Sequence, residues 1–463
     1  MQRADLGVGI VEGFYGRPFD FEARARLVAE LAEQGLSLYL VAPKDGPRHR
    51  SRWTEALSAE ERAELAELSR LGRVLGVRVG YGLAPETWWP GGERWLPRDP
   101  SARAWSRFDA RVRELASLGL ETLVLQFDDT WATLAPSLAG RAGVHAHAAA
   151  RARALLRERC GERAIVAVVP AVYHRRAQHL GRSARRYLAR FADDAPGVPL
   201  AWTGPRVFSR WIDATELGRL RELGERAPWL WSNAVTNDWA PLATGATLGL
   251  SGREKLSFGP LESLSTEALA LASGAVLNAA REPTLFGVSV ACLGELVRAG
   301  RRYDARAAHA RALLRVYGSP EGARVGEELY ELVARHPLSS PERAEAARTR
   351  ELVRAVLSGR GSSAALDDEL ARLESLEARA QSSIASASLR RELAGTLEVV
   401  RLHAASARAA LASERASEFA ELEQARREAQ RSRALLREAR ARPWLVGLGF
   451  LEELTLRAEL RAR

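Results

Sequence analysis

The sequence predicts an α/β chain, a (β/α)8 TIM-like barrel followed by an all-α helical bundle. Three observations carry that expectation. Short apolar runs alternate with amphipathic stretches through the first part of the 463 residues, the pattern of βαβ units around a parallel sheet. Eight such units in about 300 residues point to a closed barrel more than to an open sheet. Composition then changes: eleven of the 12 Trp and 29 of the 37 Gly lie in residues 1–300, and long Ala/Arg/Glu/Leu stretches follow. The predicted domains are therefore 1–300, the barrel, and 301–463, the helical bundle.

In order along the chain, strands are expected at 7–14, 36–43, 78–85, 122–129, 164–171, 200–204, 229–234 and 275–279. Helical spacing of apolar residues fills the gaps between them at 21–34, 58–75, 104–118, 145–160, 182–195 and 214–226. No GxGxxG follows the first strand and no GxxxxGK[ST] occurs, which removes the usual nucleotide-binding open-sheet folds. Past residue 300, Leu393, Leu397, Val400, Ala404, Ala407 and Leu411 recur at alternating spacings of four and three, a narrow seam for a neighbouring helix. Leu366, Leu370, Leu373 and Leu376 form a similar row, and SGRGSS at 358–363 breaks one helix from the next. Such a seam is expected inside the domain, with a homodimer through these helices as the alternative.

Composition excludes several classes. The net charge of +10 comes from 68 Lys and Arg against 58 Asp and Glu, and only Lys44 and Lys255 are lysines. In the C-terminal part the basic residues interleave with Glu and lack aromatic partners, so they read as solvated helix faces and not as a nucleic-acid surface. No apolar run reaches the roughly 20 residues that span a bilayer. Two cysteines, Cys160 and Cys292, leave no disulfide framework and no cysteine zinc site. The opening residues lack the parts of a secretion signal, and a cytoplasmic protein is expected.

A parallel barrel places its chemistry at the C-terminal ends of the strands. Those ends hold Gly13 in EGFYGRP, Lys44 in APKD, Asp128 and Asp129 in FDDT, Tyr173, Trp231 and Asn233 in WSN, Asp238, and Asn278. The chain has three Asn, at 233, 237 and 278, all at the last two strand ends. Asn offers a donor and an acceptor and Lys a compact charge with three donors; with Trp and Tyr beside them they suit a ring bearing hydroxyls. Asn also serves turns after strands, which is the plainer reading. Adjacent aspartates resist ionising together, so a neutral acid can sit beside a charged acceptor. Alternatively, one of them caps the following helix. Because neighbours on a strand point to opposite faces, both reach one site only where the strand ends or bulges. His145 and His147 read as helix residues. No HExxH, metal-spaced cluster or GxSxG elbow is present. A loop with Trp88, Trp89 and Trp95 either walls the cleft or packs on the barrel.

Five strings taken together resemble glycoside hydrolase family 84, the β-N-acetylglucosaminidases that include protein O-GlcNAcases and bacterial hyaluronidase-like enzymes. They are VEGFYGRPF at 11–19, YLVAPKDGPRHR at 39–50, FDDTWA at 127–132, WTGPRV at 202–207 and WSNAVTNDW at 231–239. The resemblance covers residues 11 to about 280 and implies a (β/α)8 catalytic domain with a helical domain after it. It implies a retaining exo-β-N-acetylglucosaminidase in which the substrate's 2-acetamido oxygen is the nucleophile, an exception to the two-carboxylate rule. Asp128 would then accept the acetamido N–H, and Asp129 would act as acid and then base.

In the same pattern, the Gly13 carbonyl, Lys44 and Asn278 would bind polar groups of the sugar, Asp238 two ring hydroxyls, and Asn233 the acetamido or an adjacent group. Tyr173 and Trp231 would line the acetamido methyl. The chain departs from the family where Ala279 follows Asn278 in place of Pro, and where PAVYHRR surrounds Tyr173. No cofactor and no metal is expected. The partner is an N-acetylglucosaminide, on glycoprotein, glycopeptide or oligosaccharide. Two alternatives stand beside this: a hydrolase of glycan or cell-wall fragments, and a noncatalytic sugar- or protein-binding barrel.

Overall fold

Eight parallel strands form one sheet: β1 Gly7–Glu12, β2 Leu38–Val41, β3 Arg78–Leu83, β4 Thr122–Gln126, β5 Ile165–Val169, β6 Ala201–Trp202, β7 Trp229–Ser232 and β8 Gly274–Asn278. This computed structural model describes residues 7–86, 96–99, 101–128, 138–176, 181–222, 228–238, 255–333, 346–418, 421–444, 446 and 448–461. The strand order is β5-β4-β3-β2-β1-β8-β7-β6. Its two ends meet through a parallel bridge between Val168 and Leu200, with the Val168 N–H donating to the Pro199 carbonyl at 2.9 Å. The sheet is thus an almost closed barrel, as the alternating pattern predicts. Every observed strand overlaps its expected span. Most stop short of the residues singled out for chemistry, so those residues lie just past the ladder.

Period-two alternation decides which residues fill the barrel. Val11, Leu38, Leu40, Val124, Ala167, Trp229, Trp231 and Val276 belong to one buried cluster in its interior. Helices α1 Phe21–Glu33, α2 Ala59–Leu75, α3 Arg103–Ser117, α4 Leu138–Cys160, α5 Arg182–Asp194, α6 Ala214–Glu222, α7 Thr266–Leu271 and α8 Pro283–Ala299 come between and after the strands. α2 begins with a reciprocal cap, in which Ser58 accepts from the Glu61 N–H and Glu61 from the Ser58 N–H. α4 starts seven residues earlier than the expected 145. Its first turns, LAGRAGV, are rich in small residues that hide the helical period, yet Leu138, Ala142 and Val144 are buried.

The chain folds as two compact units: Met1–Thr236 with Pro260–Ala308, and Asn237–Gly259 with His309–Arg463. The C-terminal helices are α9 Ala305–Tyr317, α10 Pro320–Leu332, α11 Ala347–Leu357, α12 Ser363–Glu374, α13 Leu376–Ser383, α14 Ala387–Glu418, α15 Leu422–Ala441 and α16 Glu452–Arg461. The predicted seam lies on α14, with Leu393, Leu397, Val400, Ala404, Ala407 and Leu411 all buried. The second leucine row runs over two helices, Leu366 to Leu373 on α12 and Leu376 on α13, and its four leucines are buried. Among the described residues no helix is long and apolar enough to cross a membrane.

Candidate active site

The end of β4 presents Asp128 on the same side as Val124 and Gln126, inside the barrel, while Phe127 points outward. Asp128 is buried, and its Oδ2 is ion-paired with the Lys44 ammonium from the end of β2. The other oxygen, Oδ1, is buried and has no hydrogen-bond partner among the described residues. A buried carboxylate is retained only when a charge or several donors compensate it. Lys44 supplies the charge, and among the described residues one acceptor is left open in the barrel mouth. The Lys44 backbone N–H donates to the Phe14 carbonyl at 3.1 Å, tying this pair to the loop after β1.

Beside the pair lies His49. Its Nδ1 is 2.7 Å from the Gly82 carbonyl; a carbonyl only accepts, so Nδ1 carries the proton. Desolvation, with Arg50 and Lys44 adding to it, pushes the ring pKa down to about 3, and the imidazole is neutral. Gly82 leaves the space for this packing, because a Cβ there would stand 2.5 Å from the Ala42 Cβ and 3.0 Å from the Gln126 amide nitrogen.

Across the mouth, β1, β7 and β8 contribute a second connected group. The Gly13 N–H donates to Asn278 Oδ1 at 2.9 Å, and Asn278 Nδ2 donates back to the Gly13 carbonyl at 3.3 Å. Asn278 Nδ2 also donates to Asn233 Oδ1 at 2.9 Å, which accepts Trp231 Nε1–H at 2.9 Å as well. Asn233 Nδ2 donates to the Val207 carbonyl at 2.8 Å. The network fixes both amide orientations, since any flip would set donor against donor. Only a glycine fits at position 13: a Cβ would lie 2.7 Å from Trp231 Cζ2 and 2.9 Å from Asn278 Oδ1.

Six of the residues singled out in the sequence therefore fall into two hydrogen-bonded groups, Lys44 with Asp128 and Gly13 with Trp231, Asn233 and Asn278. Tyr173 packs against the interior cluster that contains Trp231, and its carbonyl accepts the Thr203 N–H at 2.9 Å. Asp238 is buried and belongs to the unit of Asn237–Gly259 and His309–Arg463. Its neighbour Asn237 donates to the Lys255 carbonyl at 2.7 Å, which accounts for the third asparagine. Asp129, Trp88, Trp89 and Trp95 lie outside the described residues.

Sequence reasoning passed over His49 and Gln126, and it treated His145 as an ordinary helix residue. His145 is fully buried, and one signal was available: it occupies the apolar row Ala142, His145, Ala149, Ala152 on α4. A lone polar residue in such a row needs a buried partner.

Among the described residues no group of three or more His, Cys, Asp or Glu is placed to hold a metal ion. A family profile described as NAGidase, beta-N-acetylglucosaminidase, matches residues 8–333. Protein O-GlcNAcase of Rattus norvegicus is 27% identical over 271 residues, 58% of this chain and 27% of that protein. Protein O-GlcNAcase of Mus musculus gives the same figures, 27% identity over 58% of this chain and 27% of its own length. The chain thus spans little more than a quarter of the curated relatives it matches. Among solved structures, a Thermobaculum terrenum O-GlcNAc hydrolase mutant superposes with a TM-score of 0.80 at 18% identity, covering 97% of this chain and 93% of that one. At that identity the likeness is one of fold.

Proposed function

Because the chain belongs to the β-N-acetylglucosaminidase family, we propose that it is a retaining exo-β-N-acetylglucosaminidase working by substrate assistance. The observation that carries this reading is the state of Asp128, ion-paired to Lys44 through one oxygen and with the other buried and unpartnered among the described residues. Esterified at the anomeric carbon, such a carboxylate would lose the negative charge that its ion pair with Lys44 holds in place. It can accept one N–H. A 2-acetamido N–H placed on Oδ1 satisfies that oxygen and aims the acetamido oxygen at the anomeric carbon.

In the first step the acetamido oxygen bonds to the anomeric carbon as the bond to the aglycone oxygen breaks. Asp129, assigned by its place in the motif, gives its proton to the leaving oxygen. The oxazolinium formed carries positive charge on the N–H that Asp128 holds, so the attraction grows toward the transition state, which is what lowers the barrier. Water then attacks the anomeric carbon, yields its proton to Asp129, and reopens the ring with the original β configuration.

Gly13, Trp231, Asn233 and Asn278 form a preorganised wall for the sugar and its acetamido group, with Tyr173 beside it. Asp238 is assigned to the hydroxyls of the non-reducing end, which limits action to terminal sugars. The substrate we infer is O-GlcNAc on Ser or Thr of proteins, by analogy with the O-GlcNAcase relatives. The helices after the barrel are assigned to a separate domain.

The test is release of a chromogenic phenol from its β-N-acetylglucosaminide. Wild-type turnover is expected, with kcat/KM lowered about 10²- to 10³-fold in Asp128→Asn, the usual cost of losing one preorganised electrostatic partner. Thermal unfolding of both proteins controls for loss of fold. A folded wild type that releases no phenol overturns the hydrolase reading. Faster hydrolysis of free chitobiose than of O-GlcNAc peptides would replace the protein substrate with a glycan fragment.

A further inference from the structure

Behind the strand ends lies a buried polar chain that takes no part in the mechanism above. Glu86, just past β3, accepts the Leu96 N–H at 3.1 Å through Oε1. Its Oε2 faces His145 Nε2 of α4 at 3.0 Å. The other ring nitrogen, Nδ1, is 2.7 Å from the Tyr187 hydroxyl of α5. That hydroxyl in turn accepts the Ala171 N–H, from the segment after β5, at 3.2 Å. Arg141, one turn before His145, is ion-paired with Glu86 and donates to the Leu96 carbonyl at 3.0 Å.

Donor and acceptor roles follow without choice. A carboxylate only accepts, so Nε2 carries the proton and Nδ1 takes the Tyr187 O–H. Burial and the Arg141 guanidinium hold the His145 pKa well below 6.5; Glu86 is already compensated by Arg141, and the ring stays neutral. Every hydrogen bond in the chain then points toward Glu86. Glu86, His145 and Tyr187 are each about 1% exposed or less.

One face of the imidazole is covered by Phe127, with ring centroids 3.7 Å apart and planes within 2° of parallel. Phe127 is the residue before Asp128, and its backbone N–H donates to the Val169 carbonyl at 2.8 Å. Outward-facing Phe127 and inward-facing Asp128 are coupled through one peptide, so fixing the first ring fixes the direction of the second side chain. We propose that the Glu86–His145–Tyr187 chain is a positioning device for the proposed hydrolase, clamping the ends of β3, β4 and β5 so that Asp128 keeps its orientation toward the acetamido group. It rests on the hydrolase reading but adds residues outside the sugar site.

The test compares Tyr187→Phe, His145→Gln and His145→Leu with wild type on the chromogenic substrate, in proteins shown folded by circular dichroism. Tyr187→Phe removes one oxygen and keeps the ring. It is expected to lower kcat about tenfold with KM within twofold, because ground-state sugar contacts are untouched. His145→Gln, which retains a donor and an acceptor, is expected to keep more of kcat than His145→Leu. Phe127→Leu leaves the polar chain whole, removes the stacked ring and is expected to lower kcat alone; it serves if the His145 variants do not fold. Wild-type kcat in Tyr187→Phe and Phe127→Leu, or losses that fall on KM only, overturns the positioning role while the hydrolase stands. An inactive wild type overturns both, and is recognised before any variant is made.

Discussion

Gly13 shows how much of the mouth depends on single atoms. Its φ is not among the left-handed glycines, so the constraint is space: an added methyl would meet Trp231 at 2.7 Å and Asn278 Oδ1 at 2.9 Å. Gly13→Ala is expected to destabilise the fold by about 1–3 kcal/mol, the usual range for overpacking a tight site, and to lower kcat/KM more than a surface alanine would. Chemical denaturation and phenol release check the two effects; a variant with unchanged stability and turnover would show that the wall can yield without consequence. The asparagines of this wall were legible in the sequence because a chain with only three of them spends two at adjacent strand ends. The Lys44–Asp128 pair was legible only as two candidates. Its partners stand 84 positions apart, and no local pattern says which oxygen is taken and which is left.

At the scale of elements, the loop after β1 is held from behind. Glu12, the last residue of β1 and fully buried, accepts the Phe19 N–H at 3.0 Å, Arg24 Nε at 2.9 Å and the Tyr39 hydroxyl at 3.1 Å. β1, β2 and α1 therefore meet on one carboxylate, and the turn that carries Gly13 is closed at both ends. Its neighbour Gly16 donates to Asp45 at 2.8 Å. Glu12→Leu leaves the largely buried Arg24 guanidinium with only its long 3.9 Å approach to Glu64, and a loss of about 3–5 kcal/mol is expected, as for one half of a buried pair. Urea unfolding measures it, and a loss below about 1 kcal/mol, the scale of an exposed pair, would mean that Glu64 or water takes over the compensation of Arg24. Strand positions were legible because β-branched and apolar runs are short and evenly spaced. Strand ends were not, since β6 is only Ala201–Trp202 and the length of a ladder depends on its neighbours. The early start of α4 was hidden for a related reason, its small residues giving no period until they are packed.

For the molecule as a whole, the buried histidines set a limit on acid stability. Burial lowers the pKa of His49 to about 3 and of His309 and His403 to about 4 each, against the ordinary 6.5. His49 lies in the barrel unit, and His309 and His403 in the unit of the later helices, so neither unit is exempt. His309 gives its Nε2–H to the Phe258 carbonyl at 2.7 Å, and His403 Nδ1 is buried with no hydrogen-bond partner among the described residues. In the unfolded chain each ring takes a proton near pH 6.5; in the fold it does so only near 3 or 4. Between those values the unfolded state binds more protons, so stability is present in full above pH 6.5 and falls as the pH drops. The slope is about 1.4 kcal/mol per pH unit for each such histidine, or about 2 kcal/mol each by pH 5. Urea midpoints are therefore expected to fall between pH 7.5 and 5, and His403→Gln is expected to flatten the decline by roughly one histidine's share. An unchanged midpoint over that interval would mean that these rings reach water in solution, and the same titration would then have to be sought in the turnover profile.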